Sequence, residues 1–273
     1  MAEKIRLLKD NATFNAPTEL ISLFSGRFIS KITIGLYGET SAAASLPGKN
    51  LKDAINTFKV FKMGSPIIDL TGEEIIALNA LYLGKSPSIV DSGTTAGNPA
   101  NLMGLEVPIY LMVKALGEAQ VQVGFASVSG AQNIKITLAE HSLDTALPVG
   151  YLHCVRIPGM TSGATGYGNR IELSGVGDLK AIMFYSSSIP TVTSDATTVQ
   201  KVRIIVNGVE FVESNWKELQ ANKKNEVTTG ITDNYGIITF DEPIPKGASV
   251  TVDIFGGVAS SSFAVYPIYE VKE

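Results

Sequence analysis

The chain contains few of the residues from which catalytic and metal sites are usually built. Its 273 residues include one cysteine, Cys154, two histidines and one tryptophan. A single cysteine excludes an internal disulfide. Two histidines leave little choice of general base, and no G-x-S-x-G motif marks a nucleophile. We therefore expect a protein that is not an enzyme, with no catalytic, cofactor-binding or metal-binding residues.

Long apolar runs and an excess of positive charge are also missing. No stretch approaches the roughly 20 apolar residues of a membrane-spanning helix, and the N-terminal segment lacks the apolar core of a signal peptide. Lysine and arginine number 22 against 26 aspartate and glutamate residues, so the formal net charge is −4. This balance provides no basic footprint for nucleic acid. We expect no direct sequence-specific binding of nucleic acid.

Apolar residues, glycine and proline are plentiful by contrast. The chain is 45% apolar and contains 26 glycines and 12 prolines. Together with many threonine, serine and valine residues, this composition favours a β-rich chain with many turns. The length is sufficient for one large domain or two ordinary ones, each with a well-formed core.

One stretch, residues 55–84, has a clear local pattern. Two short strands, residues 58–62 and 67–70, are separated by a turn that contains glycine and proline. Thr71 and Glu74 then have the spacing of a capping box, in which each side chain binds the other residue's backbone amide. Apolar residues at helical spacing follow, and we expect the helix to end at Gly84.

The same pattern occurs a second time, 144 residues later. Gly208 corresponds to Gly64 at this offset. Asn215 and Glu218 take the places of the two capping residues. The order of strand, glycine turn, strand, capping box and helix is hard to obtain by chance. It therefore indicates a duplicated supersecondary unit.

A second set of matches, at an offset of 129, extends the repeat. It pairs Leu111, Val121, Val123 and Phe125 with Phe240, Val250, Val252 and Ile254. The fall from 144 to 129 gives the first copy 15 extra residues, which we place in a long loop at residues 85–106. We therefore predict two halves of about eight strands each, residues 1–145 and 146–273.

Three segments carry a resemblance to a known family: residues 58–83, their counterpart at 202–221, and the closing stretch 240–255. Two consecutive eight-stranded rolls with this pattern resemble the double jelly-roll major capsid proteins. That family builds icosahedral viruses of bacteria, archaea and eukaryotes, often with an internal lipid membrane. The resemblance covers essentially the whole chain. It implies an all-β fold of two tandem eight-stranded jelly rolls, a double jelly roll, with short helices.

The resemblance also implies a function. It predicts a viral major capsid protein, a structural subunit that assembles as pseudo-hexameric homotrimers into the icosahedral shell of a bacteriophage or archaeal virus. The implied partners are other copies of the chain, neighbouring capsomers, minor capsid or penton proteins, and an internal lipid membrane. The implied location is the virion, after assembly in the host cytoplasm. Lys4, Arg6 and Lys9 would then lie towards lipid headgroups, although basic residues this sparse are usually only solvated.

Two other readings of the β-rich pattern remain open. One is a tandem β-sandwich that binds carbohydrate or acts as an adhesin; the other is a structural protein of a phage tail. A carbohydrate-binding module needs aromatic platforms, and the single tryptophan, Trp216, is better explained as a core residue. A glycosidase would need two converging carboxylates, and the sequence offers no credible pair.

Several polar motifs have ordinary structural explanations. His153 and Cys154 are adjacent on a predicted strand, so their side chains point to opposite faces and cannot share a metal ion. Glu74 is explained as a capping residue, and Glu73 as an acid favoured by the helix dipole. Asp69 completes this acidic group without suggesting calcium binding or acid–base chemistry.

The remaining motifs are weaker. Residues 92–97 and 162–168 are glycine-rich but lack the spacing of a phosphate-binding loop. Residues 233–234 and 241–242 are acidic and amide side chains that could supply a hard cation site between subunits, but their spacing does not require one. His141, the second histidine, has no metal-ligand motif around it.

Overall fold

The computed structural model describes residues 3–13, 20–40, 48–90, 100–145, 150–161, 167–191, 194–221 and 232–272. The chain divides into two compact units. The first comprises Met1–Asn79 and Ser86–Leu152, and the second comprises Ala80–Lys85 and His153–Glu273. The predicted boundary between residues 145 and 146 stays a prediction, because residues 146–149 lie outside the described residues.

The described part of the first unit is built mainly from nine strands. They are β1 (Glu3–Thr13), β2 (Leu20–Ser22), β3 (Arg27–Thr40), β4 (Ile55–Lys62), β5 (Ser65–Leu70), β6 (Ser88–Val90), β7 (Ala100–Val113), β8 (Ala119–Phe125) and β9 (Ala131–Leu143). A 3₁₀ helix, Gly48–Ala54, precedes β4, and helix α1, Gly72–Leu78, follows β5. A single π-helical turn, Asn79–Leu83, continues α1, and its residues from Ala80 onward belong to the second unit.

The strands of the first unit form two rows of hydrogen-bonded neighbours. One sheet has the order β1-β9-β3-β7-β6, and the other row has the order β5-β4-β8-β2. Both rows bury alternate apolar residues, as a half-buried strand requires. Examples are Ile32, Ile34 and Leu36 in β3, and Phe58 and Val60 in β4.

Nine strands lie wholly or mainly in the described part of the second unit. They are β10 (Tyr151–Val155), β11 (Ile157–Met160), β12 (Tyr167–Leu173), β13 (Asp178–Ser186), β14 (Lys201–Val206), β15 (Val209–Asn215), β16 (Tyr235–Ile244), β17 (Val250–Phe255) and β18 (Ser262–Val271). Helix α2, Trp216–Ala221, follows β15. The strand rows are β10-β18-β13-β16 and β12-β17-β14-β15, and β11 pairs with β18.

The two units share one topology. The row β1-β9-β3-β7 corresponds to β10-β18-β13-β16, and β2-β8-β4-β5 corresponds to β12-β17-β14-β15. Eight strands of each unit therefore occupy equivalent places among the described residues, with β6 and β11 as additions. In the second unit, apolar side chains from both rows meet in one core. Ile182 and Val265 come from one row, and Ile204 and Val252 come from the other.

The repeated hairpin turns have the same backbone geometry. Met63 and Gly64 join β4 to β5 with φ angles of 49° and 79°, and Asn207 and Gly208 join β14 to β15 with 49° and 80°. Positive φ at both central residues defines the two-residue turn that matches the twist of antiparallel strands. The observed turn between β4 and β5 is shorter than the predicted one, because Ser65 already belongs to β5.

Both predicted capping boxes are present. In α1, the Thr71 amide donates to Glu74 Oε2 at 2.7 Å and the Glu74 amide donates to Thr71 Oγ1 at 3.3 Å. In α2, the Asn215 amide donates to Glu218 Oε2 at 2.9 Å and the Glu218 amide donates to Asn215 Oδ1 at 3.1 Å. Gly72 opens α1 because a Cβ there would lie 2.2 Å from the Lys52 carbonyl oxygen.

The prediction of a long loop at residues 85–106 is wrong for much of that range. Residues 88–90 form β6 and residues 100–106 begin β7, whereas residues 91–99 lie outside the described residues. Met103 and Leu105 alternate into the core, but Asn101 and Gly104 hide this pattern in the sequence. The start of β7 is a strand because it pairs with β3, with Gly104 opposite Gly35.

Candidate functional site

Strand β1 is held at the edge of its sheet by a buried carboxylate. Glu140 on β9 is almost completely buried and lies opposite Arg6. Its Oε1 is 2.7 Å from Arg6 Nε, and its Oε2 accepts a hydrogen bond of 3.1 Å from the Phe24 amide. The Arg6 guanidinium also donates to the Ser22 carbonyl oxygen at 3.0 Å and lies 5.1 Å from the centre of the Phe24 ring. A buried charge needs such partners, so Arg6 is committed to the fold.

A second polar cluster fixes the same strand near its start. His141 lies between Glu3 and Thr33, with Nδ1 3.0 Å from Glu3 Oε1 and Nε2 3.0 Å from Thr33 Oγ1. The Lys4 ammonium is 3.2 Å from Asp144 Oδ1, which the Arg27 guanidinium also binds at 3.3 Å. These contacts give His141 a structural partner on each ring nitrogen.

The outward face of the sheet β12-β17-β14-β15 carries an arginine–aspartate–arginine cluster. Asp253 on β17 is buried. Arg170 donates two hydrogen bonds to its carboxylate, from Nε at 2.8 Å and from NH2 at 3.1 Å. Arg203 NH2 donates to the same carboxylate at 2.8 Å. The Arg170 guanidinium, with Arg203 beside it, holds the pKa of Asp253 below its ordinary value. The register places all three residues side by side across neighbouring strands.

Two edge strands expose large apolar side chains. On β1, Ile5 and Leu7 are 64% and 59% exposed; on β15, Val209 and Phe211 are 69% and 56% exposed. The Phe211 ring centroid lies 6.0 Å from that of Phe240. Exposed apolar patches on a folded protein often mark contacts with other molecules, so these two edges are the candidate assembly surfaces.

His153 and Cys154 occupy neighbouring positions on β10, as predicted. Cys154 is fully buried with a free thiol. The ring of His153 packs edge-on against Tyr269, with centroids 5.8 Å apart. Burial lowers the pKa of His153 and raises that of the Tyr269 hydroxyl to about 12. This environment is that of a packed core, and the absence of a shared metal ion stays a prediction.

The acidic residues around α1 have ion-pair or capping roles. Glu74 is buried in its capping box. Lys52 Nζ binds Glu73 Oε2 at 2.7 Å, a partner that the sequence did not reveal. Asp69 lies directly opposite Lys59 in the β4–β5 hairpin, 2.9 Å from its ammonium. The structure therefore accounts for each of these carboxylates.

The other predicted motifs do not converge on a site. Trp216 is buried in the core of the second unit. The Asn234 side chain donates to the Ser186 carbonyl oxygen at 2.8 Å, and Asp241 and Glu242 are exposed on β16. Residues 92–97, and 162–166 of the second glycine-rich motif, lie outside the described residues.

The described part of the chain has neither a metal-ligand cluster nor a membrane-spanning helix. No three His, Cys, Asp or Glu side chains in it come together as metal ligands would. No helix in the same residues is both long and apolar enough to cross a membrane.

Sequence reasoning missed the buried charges Asp253 and Glu140. The sequence does contain a signal for Asp253. It lies between the apolar residues Val252 and Ile254, so strand alternation places its side chain on the opposite face from theirs. Its two arginine partners lie 83 and 50 residues away along the chain. No local pattern identifies such distant partners.

The comparison with known proteins gives matches in structure alone. No family model matches the chain, and no curated protein matches it. A chain from the atomic structure of Sulfolobus Turreted Icosahedral Virus is similar with a TM-score of 0.71 at 16% identity, covering 98% of this chain and 90% of that one. The crystal structure of the STIV major capsid protein gives 0.70 at 16% identity, covering 99% and 97%.

A bacteriophage protein is similar over the same length. The major capsid protein of Bacteriophage PM2 has a TM-score of 0.63 at 12% identity, covering 99% of this chain and 97% of that one. These proteins are double jelly-roll capsid proteins. The similarity over nearly the whole chain, together with the repeated strand order, confirms the predicted double jelly-roll fold.

Proposed function

We propose that this chain, which has the double jelly-roll fold of viral major capsid proteins, is itself the major capsid protein of an icosahedral virus. The observation that carries the proposal is the repeated topology. Each unit contains the same two strand rows in the same order, and the matches to the capsid proteins of STIV and PM2 run through both units. Two equivalent rolls in one chain are what a pseudo-hexagonal tile of three subunits requires.

Assembly is the proposed mechanism, so the chain acts by burying surface between copies. Three copies supply six rolls, which close around a threefold axis into a tile with a nearly hexagonal outline. Permanent interfaces of this kind bury more than about 2,000 Å² and resemble a protein core in composition. Closed symmetry then fixes the number of copies in each tile.

The proposed partners follow from this role. They are other copies within the tile, neighbouring tiles, minor capsid or penton proteins, and an internal lipid membrane. The proposed location is the virion, after assembly in the host cytoplasm. In this proposal the protein is not an enzyme, and the polar clusters around Glu140 and Asp253 serve the fold.

Electron microscopy of particles that contain this chain tests the proposal. We expect an icosahedral shell in which this chain is the most abundant protein by mass spectrometry and forms hexagonally packed tiles. A chain found only in a tail tube or baseplate would contradict the proposal and would support the phage-tail alternative.

A further inference from the structure

The free edges of two sheets have the properties of pairing surfaces. Within the described residues, β1 ends the sheet β1-β9-β3-β7-β6 and β15 ends the sheet β12-β17-β14-β15. The backbone groups along an edge strand form a template for another strand unless proline, a bulge or a charge blocks it. Neither β1 nor β15 contains proline. Each has a register shift, which follows Leu7 in β1 and lies at Phe211 in β15. Both strands expose apolar side chains, which are Ile5, Leu7, Val209 and Phe211.

The regular part of β1 is short and well defined. From Glu3 to Leu7 the strand pairs without interruption with Leu143 to Ala139 of β9. Register shifts follow Leu7 and distort the rest of the edge. Because bulges bend a strand and end regular pairing, a partner strand can add only beside residues 3–7. Ile5 and Leu7 lie in this stretch.

The two edges carry opposite charge. Lys4 and Arg6 outnumber Glu3 in residues 3–7 of β1, whereas β15 carries Glu210 and Glu213. Within the chain, Glu140 holds Arg6 and Lys201 holds Glu213. Lys4 and Glu210 are therefore the charges best placed to meet a second copy.

The side chains of Lys4 and Glu210 are each about half exposed. Lys4 lies 3.2 Å from Asp144, and Glu210 lies 3.7 Å from Arg203. Like charges brought together across strands are destabilising, and opposite charges are favourable. Pairing of β1 with a second β1, or of β15 with a second β15, is therefore disfavoured relative to mixed pairing.

We propose that β1 of one copy pairs with β15 of the next copy in the capsomer. This inference rests on the proposed function and names the strands through which the copies join. A contact between two different edges is heterologous, so it leaves one β1 and one β15 free on every pair of copies. Such contacts continue until a ring closes, and closure after three copies gives a trimer in which neither β1 nor β15 is left free.

Cross-linking between copies tests this contact. Two single variants, Ile5→Cys and Val209→Cys, carry different affinity tags and are co-expressed, so that mixed oligomers form. A short bis-maleimide is added, and the products are separated on a denaturing gel. Cys154 is fully buried, and the unmodified chain controls for its reactivity. Leu7→Cys with Phe211→Cys provides a second pair in case one variant is poorly folded.

The expected product is a covalent dimer that contains both tags, formed only when the two variants are mixed. Ile5→Cys mixed with Leu116→Cys is the matched control, because Leu116 is apolar and even more exposed than Val209 but lies in the turn between β7 and β8; this mixture should give no dimer. A dimer from either variant of a pair alone would overturn the proposal in favour of like-with-like pairing.

Two further outcomes separate this inference from the proposed function. An intact trimer by light scattering, without a mixed cross-link from either pair, would overturn the β1–β15 contact and leave the capsid role standing. Monomers at every concentration would overturn both the contact and the trimer. The mutant Leu7→Asp should weaken the trimer at least tenfold, whereas Leu116→Asp should leave its dissociation constant unchanged.

Discussion

At the scale of single residues, buried carboxylates bound by arginine side chains link neighbouring strands in the described structure. Asp253 is buried because two guanidinium groups replace the water it loses, and Glu140 is buried because Arg6 and a backbone amide do the same. A buried carboxylate without such partners would be strongly unfavourable. These residues are therefore expected to influence stability more than any chemical activity.

Replacing Asp253 by asparagine tests this role. Asp253→Asn removes the charge that Arg170 and Arg203 bind, and we expect a loss of about 2 kcal/mol in the free energy of unfolding at neutral pH. Urea unfolding followed by tryptophan fluorescence is a suitable measurement, since the single tryptophan, Trp216, is buried in the same unit. Asp195→Asn, at an exposed ion pair, is the control and should change stability little.

The contribution of Asp253 to the free energy of unfolding should depend on pH. The arginines lower the pKa of Asp253 in the folded state, so its contribution is present above its unfolded pKa, near 3.9. It is lost as the pH falls through the lower folded pKa. The stability difference between the unmodified chain and Asp253→Asn should therefore shrink below about pH 4. A difference that stays constant to pH 2 would contradict this assignment.

At the scale of elements, local sequence determines the turns and helix starts. The glycines of both hairpin turns and both capping boxes were predicted because each depends on a few adjacent residues. The two turns differ at their first central position, where Met63 and Asn207 have the same positive φ. A methionine adopts this conformation at a cost, whereas asparagine tolerates it.

Exchanging these turn residues tests the shared geometry. Met63→Asn should stabilise the first unit by about 0.5–1 kcal/mol, and Met63→Leu should give no gain. Asn207→Met should destabilise the second unit, also because Asn207 Oδ1 accepts a hydrogen bond of 3.0 Å from the Ser249 amide. Differential scanning calorimetry measures both changes. Destabilisation by Met63→Asn would show that the turn has a different conformation.

At the scale of the whole molecule, the sequence revealed the duplication but not the pairing of distant strands. The repeat was detectable because alternation and turn residues recur at fixed offsets. The β1–β9 pairing joins residues more than 120 positions apart, such as Ile5 and His141, and nothing local specifies it. The sequence predicts a loop at the start of β7 because Asn101 and Gly104 interrupt its apolar pattern, and only its pairing with β3 makes it a strand. The edges that expose Ile5 and Val209 likewise emerge only from the sheet order.

In the proposed function, two rolls in one chain make a subunit that closes in threes. Size-exclusion chromatography with multi-angle light scattering measures this directly on the purified protein. Three chains of 29.0 kDa predict a single species of about 87 kDa that persists at micromolar concentration. A species of 29.0 kDa under the same conditions, or an open series of ever larger oligomers, would contradict the account.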